Sequence, residues 1–325
     1  MSNVIPMINL NKNSSFHAFL VVLILCFSEN VRAQSANNNQ DSVRYNSAIF
    51  EDISIDYDIK YGHAITQGGE AQDLLMNIYY PTNDTVTNRP LIIFAHGGYF
   101  LFGDKAGFAA ECQFFAESGY VVATINYRLI DVLQTEEVSK RAVIDAVNDQ
   151  KAAVRFFNKD FDKKNKYKID PNQIFIGGYS AGAVSSLHYA YANTPKDVLE
   201  MGGKELLEYV VNNGGIDGQS GNQGYASKIK GVINMAGSIH SAELLNKNEP
   251  ILISMHGDKD IVVPYLSGVT GETEVVTEGS GLIHQKAEEI GLVNQLITLP
   301  GGGHDARFYC DSCLELVRQF IFDNL

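Results

Sequence analysis

The sequence predicts one α/β domain built on a mostly parallel, doubly wound sheet flanked by helices. Three observations lead there. Short, nearly continuous apolar runs at Leu91–Ala95, Tyr120–Asn126, Gln173–Gly177, Gly231–Met235, Ile251–Met255 and Leu296–Leu299 have the length and composition of strands buried on both faces. Helical patterns lie between several of them, at Phe108–Glu117 and at Ser139–Asn158, where Val143, Ala146, Ala153, Phe156 and Phe157 recur at helical spacing. Polar or glycine-rich motifs directly follow four of the runs, at the strand ends where the ligand crevice of such a sheet lies.

In chain order, Lys12 precedes the apolar run Ala18–Phe27, and Val31-Arg32-Ala33 supplies the small or modest residues of a cleavage site. Residues 1–33 therefore read as a secretory signal peptide, which implies a secreted or periplasmic protein. Cys26 is not expected to carry a lipid, because Leu25 stands where such signals want a small residue. Residues 34–46 are polar and Asn-rich and are expected to be a disordered lead-in, so the folded domain is placed at 47–325. Ile53–Tyr57 and Leu74–Tyr80, separated by the turn-prone Gln67-Gly-Gly-Glu70, suit antiparallel edge strands. Residues 193–226 and 266–281 are long, Gly-rich interruptions, expected to be active-site covers or disordered loops. Leu314–Phe322 is a closing amphipathic helix.

The 325 residues carry a formal net charge of -13, with 45% hydrophobic and 19% charged side chains. So acidic a surface disfavours nucleic acid and anionic membranes as partners, and no later run is long enough for stable membrane insertion. Cys112, Cys310 and Cys313 remain after the leader. Cys310-Asp-Ser-Cys313 has metal-like spacing without a second ligand pair, which leaves a local disulfide, a link to Cys112, or free thiols.

The chemistry centres on Gly178-Tyr179-Ser180-Ala181-Gly182. A strand turning sharply into a helix would strain Ser180, expose its Oγ, and set the Ala181 N–H at a helix N-terminus, where negative charge is favoured. His96-Gly97-Gly98-Tyr99, Asp258 with Asp260, and His304 each follow another strand run. Converging on one rim of the sheet, they supply what acyl transfer needs: a nucleophile, a base, an acid to orient the base, and backbone donors for an oxyanion. His304 is the expected base. His63, His188, His240 and His284 read as surface or packing residues, and His256 as ordering its own turn. Between Asp258 and Asp260 the residues alone do not decide.

His256-Gly-Asp-Lys-Asp260-Ile-Val-Val-Pro264 resembles the acid loop of α/β-hydrolase esterases, and His96-Gly-Gly-Tyr-Phe100 resembles the oxyanion loop of carboxylesterases and hormone-sensitive-lipase-like esterases. Ile125-Asn-Tyr-Arg-Leu129 is similar to their Asn-Tyr-Arg strand end, and the likeness spans residues 50–325. The order Ser180, Asp260, His304 also matches that superfamily. The resemblance implies an α/β-hydrolase fold and a serine carboxylic-ester hydrolase that uses no metal and no organic cofactor. Asp260 becomes the acid, and the N–H groups of Ala181 and of Gly97 or Gly98 the oxyanion hole. Tyr99 stands where many relatives carry a third glycine, which leaves open which loop amide points inward. Tyr99, Phe100, Tyr179 and Tyr265, close to these positions in sequence, are candidates for an aromatic wall around an ester. Two competitors are a prolyl-oligopeptidase-type peptidase, which usually needs an additional domain this chain has no room for, and a non-catalytic binding module on an esterase fold, a class that typically loses a triad residue.

Overall fold

The computed structural model describes residues 43–270 and 275–325. The expected leader, 1–33, and residues 34–42 of the lead-in lie outside them. Tyr45 and Asn46, at the end of the expected disordered lead-in, are instead held in place. The Tyr45 N–H donates to the Ser118 carbonyl at 2.8 Å and its ring meets Tyr120 edge-on at 5.2 Å, so the segment has an aromatic group to bury. Residues 45–325 form one compact unit. Among the described residues no helix is long and apolar enough to cross a membrane.

The strands are β1 (Ile53–Ile65), β2 (Ala71–Pro81), β3 (Arg89–Ala95), β4 (Val121–Ile125), β5 (Ile169–Tyr179), β6 (Gly231–Met235), β7 (Ser238–Ile239), β8 (Ile251–Gly257), β9 (Ser267–Val269), β10 (Val276–Gly279) and β11 (Asn294–Leu299). An eight-stranded sheet runs in the order β1-β2-β4-β3-β5-β6-β8-β11. The β1–β2 and β2–β4 pairings are antiparallel and the rest parallel, as expected for edge strands beside a doubly wound core. Because β4 lies on one side of β3 and β5 on the other, the direction of winding reverses between β3 and β5, which is where a crevice opens at the strand ends.

The helices are α1 (Ala109–Ala116), α2 (Glu136–Lys163), α3 (Ala181–Tyr191), α4 (Pro195–Asn212), α5 (Ser280–Ile290) and α6 (Cys313–Asp323). Successive side chains of β3 point to opposite faces. Leu91 and Ile93 join Ala153, Phe157 and Leu187 on one face, while Ile92 and Phe94 join Phe115, Val317 and Ile321 on the other. Every residue of β3 is buried, which accounts for its unbroken apolar run. Cys112 is buried in the second of these layers as a free thiol, and Cys310 pairs with Cys313.

Neither interruption is a bare loop. Residues 195–212 form α4, opened by a capping box: the Asp197 N–H donates to Thr194 Oγ1 at 3.3 Å and the Thr194 N–H to Asp197 Oδ2 at 2.8 Å, with Pro195 in the first turn. The Gly202-Gly203 kink inside it obscures the helical period. Residues 213–226 are pinned onto α2, with Arg155 donating to the carbonyls of Asp217 (2.6 Å) and Gly221 (2.9 Å) and Asn158 to that of Ala226 (2.7 Å). The second interruption contributes β9 and β10, which pair with each other and, through β10, with β7 in a small sheet. α2 starts three residues before the sequence suggests, because Thr135 caps it by accepting the Val138 N–H.

Candidate active site

Ser180 sits between β5 and α3 with φ 53° and ψ -120°, a conformation that costs a non-glycine residue about 1–3 kcal/mol. Tight packing fixes it. A Cβ on Gly182 would come within 2.0 Å of the Ala95 carbonyl oxygen, and one on Gly178 within 2.4 Å of the same atom, so only glycine lets strand and helix pass this closely. The Ser180 N–H is held by the Met235 carbonyl at 2.9 Å. Ala181 opens α3, so its N–H is a first-turn donor without an intrahelical acceptor.

His304 follows β11 and the run Pro300–Gly303, and Asp260 follows β8. His304 Nδ1 lies 2.7 Å from Asp260 Oδ2, and His304 Nε2 lies 3.0 Å from Ser180 Oγ. A carboxylate only accepts, so Nδ1 carries the proton and Nε2 is left to accept the serine hydroxyl. The acid and histidine loops are laced together. The Asp258 N–H donates to the Leu299 carbonyl (3.2 Å), the Lys259 N–H to that of Gly302 (2.9 Å), and the Gly301 N–H to Asp258 Oδ1 (2.7 Å). Asp258 is thus a brace for the glycine run, and Asp260 is the carboxylate that meets the imidazole. Burial favours the protonated form of Asp260, but hydrogen bonds from His256, His304 and the Val263 N–H outweigh it and hold the carboxyl well below the usual carboxylate range.

The loop after β3 passes over the serine. Gly97 approaches so closely that a Cβ would lie 3.2 Å from Ser180 Cβ. Tyr99 and Phe100 both take left-handed conformations (φ 56° and 61°), and the Gly98 carbonyl accepts the N–H groups of Leu101 and Phe102. The turn that a third glycine would ease is therefore made by two strained aromatic residues. His96 is buried, stacked on Tyr127 at 4.5 Å, with Nδ1–H donating to the Gly97 carbonyl at 2.7 Å.

Beside Ser180 and Ala181 lies a cavity of about 80 Å³ walled by Tyr99, Phe100, Val143, Val184, Met201 and Val263, with Ser238, Thr270 and Thr277 also lining it. Tyr179 and Tyr265 do not line it, contrary to the expected aromatic wall. Tyr179 turns to the histidine loop, its hydroxyl donating to Asp305 Oδ1 (2.8 Å) and its ring lying 4.9 Å from that of His304. Tyr265 bonds Thr298 (2.8 Å) and meets His256 edge-on at 5.6 Å.

His256, expected to order its own turn, does so through Nε2, which lies 3.1 Å from both Asp260 Oδ2 and the Val263 carbonyl. Sequence reasoning missed two contributors. Met201 reaches the cavity from α4, whose Thr194-Pro-Lys-Asp197 cap was legible. His188, expected at the surface or in packing, is buried at the cavity, donates from Nδ1 to the Val184 carbonyl and accepts the His240 N–H at 3.2 Å; burial pulls it down to about 4 and keeps it neutral. Among the described residues no His, Cys, Asp and Glu side chains gather as a metal site, and the Cys310–Cys313 pair is a disulfide.

A mostly parallel eight-stranded sheet bearing a serine on a strained strand-to-helix turn defines an α/β-hydrolase. The BD-FAE family model matches residues 76–240, roughly half of the chain, and the chain belongs to that family. The chain is 24% identical over 147 residues to Esterase-5A of Drosophila persimilis, covering 43% of this chain and 26% of that protein. It is 34% identical over 124 residues to a carboxylic ester hydrolase of Bombus ignitus, covering 36% of this chain and 20% of that protein. It thus spans about a quarter or less of the length of these curated relatives. Among solved structures, Thermogutta terrifontis esterase 2 phosphorylated by paraoxon superposes with a TM-score of 0.60 at 18% identity, covering 85% of this chain and 95% of that one, a likeness of fold.

Proposed function

We propose that this chain is a carboxylic-ester hydrolase working through an acyl-enzyme on Ser180. The observation that carries the reading is the unbroken hydrogen-bond chain Ser180–His304–Asp260, at 3.0 and 2.7 Å, beside an apolar cavity. His304 Nε2 takes the hydroxyl proton as Ser180 Oγ forms a bond to the ester carbonyl carbon. Asp260 holds the ring in the tautomer that can do so, and the same proton then leaves with the alcohol. Water, activated by the freed Nε2, attacks the acyl-enzyme, releases the carboxylic acid and returns the proton to Ser180. The N–H groups of Ala181 and of Gly97 or Gly98 bear the oxyanion's charge in both halves.

The esterase names of the relatives support this reaction over the peptidase and binding-module readings. The cavity, smaller than the roughly 150 Å³ apolar cavity that admits benzene, favours a short acyl chain inside, with any aromatic portion of the substrate lying against Tyr99. The test is turnover of p-nitrophenyl acetate, butyrate and octanoate together with a fluorophosphonate label. Hydrolysis biased to the short esters and a covalent adduct on the Ser180 peptide, both lost in Ser180→Ala, are expected. Turnover that survives Ser180→Ala after contaminating esterases are excluded would sink the reading.

A further inference from the structure

Asp260 Oδ2 serves two imidazoles. His304 Nδ1–H reaches it at 2.7 Å and His256 Nε2 at 3.1 Å, while Oδ1 accepts the N–H groups of Val262 (2.8 Å) and Val263 (3.0 Å). The proton on His256 is placed by its partners. Nε2 also lies 3.1 Å from the Val263 carbonyl, and since carboxylate and carbonyl only accept, Nε2 is the donor. Nδ1 then accepts the Ser280 hydroxyl at 2.8 Å.

From Ser280 the chain of bonds continues inward with one consistent direction. Asn234 Nδ2 donates to Ser280 Oγ (3.0 Å) and to Ser254 Oγ (2.9 Å), the Ser254 hydroxyl donates to His284 Nε2 (2.7 Å), and His284 Nδ1–H donates to Asn294 Oδ1 (2.6 Å). Asn234, Ser254, His256, Ser280 and His284 are each no more than 2% exposed. Burying so many polar groups costs stability unless every one is satisfied, and here each donor finds an acceptor. A packed apolar core would need none of them, so the arrangement points to what lies at its end, the Asp260 carboxylate.

We propose that His256 is a positioning residue for the reaction: its Nε2–H, oriented by Ser280, holds Asp260 Oδ2 in the direction that receives His304. This rests on the esterase reading above. The other ionisable groups around the two rings are Asp305 and Arg307, which reach His304 through Tyr179, and Tyr265, whose ring edge meets His256. Without the His256 donor, Oδ2 keeps only one of its two imidazole partners, is less firmly aimed, and carries more charge towards His304, which makes the imidazole more basic.

The test compares His256→Phe, which removes the donor, with His256→Gln, whose amide nitrogen can take the place of Nε2. For His256→Phe we expect kcat to fall about tenfold with KM changed by less than about twofold, and the acid limb of kcat/KM to move up by about half a pH unit. His256→Gln should restore both. The same comparison is made without substrate by following the His304 ring protons by NMR against pH, where the Phe variant should titrate higher and the Gln variant like wild type. A Phe variant with wild-type kcat and an unmoved His304 titration overturns the proposal, as does equal loss in both variants. If the wild type hydrolyses no ester, the esterase reading fails by itself, and the NMR titration still decides the role of His256.

Discussion

Replacing Asp260 by Asn tests the acid directly, because the two oxygens face different donors. Oδ1 accepts two backbone N–H groups and Oδ2 two imidazole N–H groups, all within 3.1 Å. An amide offers only one acceptor atom. If its NH₂ turns towards the imidazoles, His304 is driven to the tautomer with Nε2 protonated and cannot accept the Ser180 proton, a loss of roughly 10³ to 10⁴-fold in kcat by analogy with other triads. If it turns towards Val262 and Val263, the half-buried Val262 N–H and the buried Val263 N–H lose their partner, the buried one at about 1–3 kcal/mol, and the melting temperature falls instead. Asp258→Asn keeps the carbonyl oxygen that accepts the Gly301 N–H, so its cost should stay below about tenfold. Turnover of p-nitrophenyl butyrate, with Ser180→Ala as the blank and thermal melts run beside it, separates these outcomes. An Asp258→Asn protein more damaged than Asp260→Asn would mean that the acid has been misassigned.

Further outcomes follow from the same contacts. Because the folded Asp260 carboxyl sits below its unfolded value of about 3.9, its contribution to stability is complete above that value and is lost as pH falls through the folded one; urea midpoints of wild type and Asp260→Asn should therefore converge as pH is lowered from 6 towards 3, and a constant gap would contradict the shift. The Cys310–Cys313 disulfide closes so short a loop that reduction should cost at most about 2 kcal/mol, seen as a drop of no more than about 5 °C in melting temperature, with kcat retained because the histidine loop is tied to the acid loop independently. Tyr99→Ala should reduce any preference for aromatic over aliphatic esters of matched leaving group by several-fold, about 0.5–1.5 kcal/mol, whereas Tyr265→Phe should leave it unchanged; the measured quantity is the ratio of kcat/KM values.

The strands and the serine turn were legible because their signals are local. A doubly buried strand such as β3 must be apolar at every position, and the Gly178/Gly182 pair stands at a strand-to-helix crossing where no other residue fits. The proximity of Ser180, His304 and one of the two aspartates could be anticipated from strand order, but the choice of Asp260 needed a family resemblance, since both carboxylates lie on the same short turn. What was not legible depends on contacts between distant segments. The wall residues Thr270 and Thr277 come from a hairpin whose partner strand is two residues long, and α4 hides behind a glycine pair. Tyr179 and Tyr265 show the converse: adjacency in sequence to Ser180 and to the acid loop says nothing about which side of the loop a ring takes.

The lacing of the acid and histidine loops has a consequence for how this site can be altered. Gly257 lies so close to the histidine loop that a Cβ there would come within 2.2 Å of the Gly302 carbonyl oxygen, and the backbone bonds between the two loops leave little independent play. Asp260 and His304 therefore behave as one prefabricated part, mounted on β8 and β11, while Ser180 belongs to another, mounted on β5. The parts meet through the Ser180–His304 bond and through Tyr179, whose hydroxyl reaches the His304 carbonyl and Asp305. Loop grafts from a relative would accordingly have to carry residues 256–264 and 299–305 together; exchanging either alone would mismatch a joint that the rest of the fold does not adjust.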